Sequence, residues 1–317
     1  MNFIKFDAEA IRNQIDLNAI SLYNDRTKYF ITNTDFELDG FQKISSINEI
    51  KKTEISNSLF FLHFNADDEY IYHLELIIEN NGKFLIQRNY EKYSFVFSNK
   101  NCNLALSYRL TREHLVSHFV LRIAENICQA LEQTKNLEGD YVEIGVYKGG
   151  SALTAMLYSK FANIKRRMFL LDTFDGFDYE EATNSVETHW NKNNNHHKLY
   201  GSDATMNYIN DILITECPDQ EFKLIKSNIC TDSLPSEIDK IVIANIDVDM
   251  YEATRDSFIK VAEKIVKGGI IIAEDPTSTP GLIGAFYAME KFLETDVGKK
   301  FMKLHLVGQY FLIKLYD

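Results

Sequence analysis

Two stretches of this chain end apolar runs in carboxylates. The first is Asn245-Ile-Asp247-Val-Asp249-Met-Tyr251, and the second, about one helix later, is Gly268-Gly-Ile-Ile-Ile-Ala-Glu274-Asp275-Pro276. Each reads as a buried parallel strand, so Asp247, Asp249, Glu274 and Asp275 arrive at the same edge of one sheet. The crevice outside the carboxyl ends of such strands is where open α/β sheets bind ligands. Clustered hard oxygen donors there point to a divalent cation.

A third stretch, Glu143-Ile-Gly145-Val-Tyr-Lys-Gly149-Gly150-Ser151, has glycines where a backbone must turn sharply and approach a ligand, without matching G-x-G-x-x-G. By itself it is equally well a structural helix start. The next strand ends Leu170-Leu-Asp172-Thr-Phe-Asp175-Gly176, an acid at about the twenty-residue spacing that holds a ribose diol. Together the two indicate a nucleoside-containing cofactor. Glu143, on a buried strand beside the turn, is placed to meet the cofactor's amino group, whereas Asp175 equally reads as closing a turn with Gly176.

The elements that must position these groups follow from alternation. Strands are expected at 140–145, 167–172, 222–226, 240–247 and 269–274, with helices starting near Gly149, Asp203, Glu252 and Gly281. That order means a parallel sheet covered on both faces. Residues 301–315 add an antiparallel hairpin across a Gly308-Gln309 turn, unusual for a plain dinucleotide-binding fold. Upstream, an amphipathic helix from Thr111 to about Lys135, with Leu115, Phe119, Ile123, Ile127 and Leu131 on one stripe, joins this part to the first. Residues 1–110 read as a smaller β-rich (α+β) domain. It has a helix around 7–20, then an antiparallel meander through 59–64, 70–78, 84–88 and 93–97, with Asn80-Asn-Gly82 as a hairpin turn. Its aromatic strands are open to three roles: a contact between copies in a homo-oligomer, a wall of the acceptor pocket, or a docking module.

Composition narrows the partners. The 317 residues are 45% hydrophobic and 13% aromatic, ample for one large or two modest domains. A net charge of −12 argues against nucleic acid and against an anionic membrane surface, which reward basic patches. Cys102, Cys128, Cys217 and Cys230 form no C-x-x-C or zinc spacing and read as reduced core thiols. The N-terminus carries acids where a secretory signal needs a longer apolar core, and no segment is long and apolar enough to span a bilayer. The expectation is a soluble, cytoplasmic protein with a small-molecule or protein partner.

The run 139–150, then Asp172-Thr-Phe-Asp-Gly176, then Asp247-Val-Asp249-Met-Tyr251-Glu-Ala-Thr254, then Gly268-Gly269 with Glu274-Asp275, resembles the macrocin O-methyltransferase family over roughly residues 115–317. The resemblance implies a class I methyltransferase, with a Rossmann-like sheet and a C-terminal antiparallel hairpin. It also implies dependence on S-adenosylmethionine (SAM) and Mg²⁺, and a sugar hydroxyl of a natural product or glycan as acceptor. Glu143, Gly145, Gly149, Gly150, Ser151 and Asp172 then form the cofactor site, in a methyltransferase domain over 111–317. The family usually presents two aspartates at the end of its fifth strand, and Glu274 replaces the first here. Pro276 is expected to hold Asp275 extended and aim its carboxylate inward.

A sulfonium methyl is already activated, so the enzyme chiefly aligns an oxygen nucleophile and lowers its pKa. A divalent ion brings bound water from 15.7 to about 7–9 in favourable cases, each unit being worth about 1.4 kcal/mol. Oxygen-only ligands select Mg²⁺ over zinc. Asp247, Glu274 and Asp275 are assigned as ligands, with Asp247 also accepting the acceptor's proton. Asp249 reads as support for the site or a cap for the helix beginning at Tyr251-Glu252. His189, His196 and His197 lie in an Asn-rich loop and read as solvated, and Trp190 as lid packing or an acceptor platform. Two other readings compete: an NAD-dependent Rossmann oxidoreductase, and a catalytically inactive methyltransferase-fold binding or assembly protein. The absent G-x-G-x-x-G counts against the former and the full carboxylate set against the latter.

Overall fold

The structure, a computed structural model, describes residues 24–32, 37–63, 67–85, 95–116, 119–185, 205–278 and 283–317. The helix expected over 7–20 and the loop histidines with Trp190 lie outside them. The chain divides into two compact units, Met1–Ser107 and Tyr108–Asp317.

In the first unit, strands β1 (Thr27–Thr32), β2 (Gln42–Ile44), β3 (Ser58–His63) and β4 (Lys83–Leu85) lie in the order β2-β1-β3-β4. Among the described residues every pairing is parallel, so the expected antiparallel meander is wrong. Residues 70–78 belong to helix α1 (Asp67–Glu79), in which His73 and Ile77 are buried four residues apart while Tyr72 and Ile78 are exposed. That is helical spacing, hidden by a strand-like composition. The Asn80-Asn81-Gly82 signal closes this helix instead of turning a hairpin. Asn81 is left-handed (φ 58°), and the N–H groups of Gly82 and Asn81 donate to Ile77 O and Ile78 O at 2.8 and 3.0 Å, a Schellman cap. Residues 95–98 form a helical turn rather than a strand. Ile31, Ile47, Ile55, Phe60 and Ile77 lie at the centre of this unit's core.

The chain crosses between units within helix α2 (Lys100–Leu110). The single helix expected over 111–135 is instead a turn at Glu113–Val116 and helix α3 (Leu121–Gln133), with Val120 extended between them. Seven strands follow: β5 (Asp140–Ile144), β6 (Met168–Asp172), β7 (Phe222–Lys226), β8 (Ile241–Ile246), β9 (Ile265–Ala273), β10 (Phe301–Leu306) and β11 (Gln309–Lys314). Their order is β10-β11-β9-β8-β5-β6-β7. β5 to β9 pair in parallel, β11 pairs antiparallel with β9, and β10 pairs antiparallel with β11 at the edge. The hairpin turn is Val307-Gly308, one residue earlier than expected, with Gly308 at φ 87°. Connecting helices are α4 (Gly150–Phe161), α5 (Met206–Glu216), α6 (Tyr251–Ala262) and α7 (Ile283–Glu294). Central strands β5 and β8 are buried at every residue, as expected of a sheet covered on both faces. Strand order reverses between β5 and β8, and the crevice at their carboxyl ends is the switch point of a doubly wound sheet.

Candidate active site

A cavity of about 330 Å³ lies at those carboxyl ends, lined on one side by Gly145, Asp172 and Ser227 and on the other by Asp247, Glu274 and Asp275. Gly145 makes the turn out of β5 possible. Its φ is +91°, and a Cβ there would stand 1.7 Å from Asp247 O, so any side chain would push β5 and β8 apart. Gly149, at φ +80°, is the N-cap of α4.

Three non-glycine residues at the cavity, Tyr147 (φ 47°), Phe174 (φ 53°) and Asp249 (φ 59°), have left-handed backbones, a conformation that costs energy unless its surroundings hold it. Each is held by an aspartate. Asp172 Oδ2 accepts from Val146 N (2.7 Å) and Tyr147 N (2.9 Å), and its Oδ1 accepts from Phe174 N (2.7 Å). Asp275 Oδ2 accepts from Val248 N (2.8 Å) and Asp249 N (2.7 Å). Asp275 opens the helical turn Asp275–Ser278 instead of taking the extended conformation expected of it; Pro276 sits early in that turn, where its missing N–H leaves no bond unmade. Helix α6 takes Met250 as its N-cap, so Asp249 is not the capping residue. Asp175 points outward and pairs with Lys226 at 2.5 Å.

Glu143 is fully buried: Oε2 accepts from Tyr141 Oη at 2.6 Å and Oε1 from Ser151 Oγ at 2.7 Å. Burial pushes its carboxyl up to about 7 against those stabilising bonds. Beside it in the sheet, across from β5, stands the fully buried Asn245. Its amide lies near enough to favour the Glu143 carboxylate, yet its nitrogen and oxygen complete no hydrogen bond.

On the other side, Asp247 is raised well above the carboxylate range by burial and by the charges of Glu274, Asp275 and Asp249. Burial also raises Glu274, to about 7, though its hydrogen bond with Asp247 opposes the shift. Asp275 rises through burial as well, its backbone partners opposing the shift. Among the described residues, no three of His, Cys, Asp and Glu converge as a finished coordination set, and Asp275 has one oxygen committed to the 248–249 turn. The donor chemistry of Asp247 and Glu274 nevertheless fits a hard cation: two adjoining carboxylates, Glu274 buried and Asp247 half-buried, whose repulsion a proton or a divalent ion relieves.

The sequence reading missed several residues lining the cavity. Ser227, Asn228 and Ile229 follow β7, and Phe174, Phe177 and Tyr179 follow β6. The Ser227 hydroxyl is buried without a hydrogen-bond partner, and burial raises the Tyr179 hydroxyl above its usual range. The rule that strand ends face the crevice would have found the first three. The aromatic residues carried no spacing signal.

The profile of the macrocin-O-methyltransferase (TylF) family matches residues 120–311. A demethyldecarbamoylnovobiocin O-methyltransferase of Streptomyces niveus is 26% identical over 165 residues, which cover 49% of this chain and 60% of that protein. The solved structure of the O-methyltransferase NovP superposes with a TM-score of 0.55 at 15% identity, covering 71% of this chain and 94% of that one. The seven-stranded sheet is the class I methyltransferase fold. With well over half of its length matched, the chain belongs to the macrocin-O-methyltransferase (TylF) family.

Proposed function

We propose that this protein transfers the methyl group of SAM to a hydroxyl of a sugar-containing small molecule, assisted by Mg²⁺. One observation carries the reading: a single cavity runs from Asp172 and Ser227 to Asp247 and Glu274. A nucleoside cofactor and a hydroxyl acceptor can therefore meet over the β5/β8 switch point. Its family and its likeness to a novobiocin-type O-methyltransferase support the same chemistry.

In this reading the adenosyl part lies against Asp172, Ser227 and Asn228, and Gly145, Gly149, Gly150, Ser151 and Glu143 hold the methionyl part. Asp247 accepts the proton of the acceptor hydroxyl, its carboxyl being raised by burial and by its acidic neighbours. Phe174, Phe177 and Tyr179 narrow the cavity and exclude water, which strengthens the interaction of Asp247 with its substrate. Asp247 and Glu274 would hold Mg²⁺, with Asp275 as a third ligand if it releases part of its hold on the 248–249 turn. When bound, the ion supplies positive charge that lowers the pKa of a neighbouring hydroxyl. An oxidoreductase reading finds no dinucleotide fingerprint at 143–151.

Calorimetric titration of the full chain with S-adenosylhomocysteine and with NAD, before and after chelation, tests the proposal. S-adenosylhomocysteine is expected to bind in both conditions and NAD in neither, while methyl transfer to a sugar-containing acceptor stops on chelation and returns with Mg²⁺. Full turnover in protein shown by elemental analysis to be metal-free would overturn the metal assignment.

A further inference from the structure

A second cavity, of about 130 Å³, shares Val120, Ile123, Tyr147, Asp247 and Glu274 with the first. Its unshared end is lined by Arg109, Ser151 and Thr154. Arg109 is 1% exposed, its Nε donates to Gly150 O at 3.3 Å, and its guanidinium lies 5.5 Å from the centroid of the Phe119 ring. Gly150 begins the twelve-residue helix α4, whose N-terminus adds partial positive charge to the same end. The recess is therefore polarised: a guanidinium and a helix start at one end, the Asp247–Glu274 pair at the other.

If the adenosyl group occupies the main cavity, the amino-acid tail of the cofactor has to leave it near Tyr147, where this recess opens. That tail carries a carboxylate, and the Arg109 end of the recess supplies the positive groups to meet it. We propose that Arg109 binds the α-carboxylate of the cofactor's amino-acid tail, a contact made from outside the residues 120–311 that the family profile matches. The proposal rests on the SAM reading above. Burial lowers Arg109 to about 10, with Glu113 the charge that opposes the shift, and an incoming carboxylate would favour the charged form further. A planar fork of donors suits a carboxylate, and its stacking on Phe119 limits the orientations it must give up on binding.

The test compares S-adenosylhomocysteine with its decarboxylated analogue, which lacks only the carboxylate, by calorimetry on the full chain and on Arg109→Gln. The native protein is expected to bind S-adenosylhomocysteine about 10- to 100-fold more tightly, the range for a charge-assisted hydrogen bond. In Arg109→Gln that gap should shrink to about threefold or less, with affinity for the analogue unchanged. Equal binding of both ligands by the native protein overturns the proposal, as does a full gap in the variant or an equal loss of both ligands. Should Arg109→Gln fail to fold, Arg109→Lys, which keeps the charge without the fork, is expected to retain part of the gap, and a full native gap in it overturns the proposal. A native protein that binds neither ligand refutes the SAM reading itself, an outcome distinct from equal binding of the two.

Discussion

The two sides of the switch point treat their carboxylates differently. On the β6 side, both oxygens of Asp172 accept backbone N–H groups and hold Tyr147 and Phe174 in left-handed turns. On the β8–β9 side, Asp275 does the same for Asp249, but Asp247 and Glu274 face each other, and burial and mutual repulsion push Asp247 up. The chain completes the first arrangement with its own backbone. It leaves the second with a charge that only a proton or a bound cation satisfies, so the first side is built as a preformed cradle and the second is poised for chemistry.

The strongest way to break this comparison is Asp247→Asn. Removing the proposed proton acceptor should lower kcat by about 10² to 10⁴-fold, the usual contribution of a positioned base, while affinity for S-adenosylhomocysteine stays within about threefold. Because the amide needs no proton to sit beside Glu274, whereas the Asp247 carboxyl must take one up or bear its charge there, the cofactor-free variant should melt higher than the native protein, by about 2–4 °C for each kcal/mol relieved. A variant that loses cofactor binding, or that melts lower, would show that Asp247 belongs to the preformed side.

Asp172→Ala should act in the opposite sense. Three backbone N–H groups lose their acceptor and two left-handed turns lose their lock, so cofactor affinity should fall at least about tenfold and stability by about 2–4 kcal/mol. Asp172→Asn keeps one oxygen and should recover part of each. Calorimetry together with urea unfolding would check it, and unchanged stability in Asp172→Ala would remove the turn-locking role.

The same contrast between backbone and charge explains what could be read from the sequence. Strands β5 to β9 were legible because buried parallel strands give short apolar runs, and four of them end in the glycine or acids that line the cavity. β7 is half exposed along its length, so its apolar signal was faint and Ser227 and Asn228 beyond it went unnoticed. In the first unit the fully buried run of β3 is itself the mark of a central parallel strand. Its neighbours suggest an antiparallel pairing instead, because the 70–78 run, aromatic and isoleucine-rich, resembles a strand and Asn80-Asn81-Gly82 resembles its hairpin. Helical spacing at His73 and Ile77, not composition, was the deciding signal. Arg109 left no trace in the sequence, since nothing in an isolated arginine on a mixed helix tells which cavity it will line.

The smallest effect expected separates the two sides by pH. Glu143 and Glu274 are each raised from 4.5 to about 7, burial being the main cause of both shifts. A carboxyl raised in the folded state binds its proton more tightly there than in the unfolded chain. The stability it contributes is therefore fully present below about pH 4.5 and is lost as pH rises through about 7, on the order of 1 kcal/mol for each group once relaxation is allowed for. The cofactor-free, metal-free protein should accordingly melt lower at pH 8 than at pH 5.5 once other carboxylates are accounted for by the Glu143→Gln and Glu274→Gln variants. Glu274 borders the proposed cation site and Glu143 the proposed site of the cofactor's tail, so Mg²⁺ should cancel the Glu274 component and leave that of Glu143. A melting series across this range with and without Mg²⁺ reads both. If Mg²⁺ leaves the slope of the Glu143→Gln variant untouched, the β8–β9 carboxylates do not take the ion, and a proton, not a cation, relieves their charge.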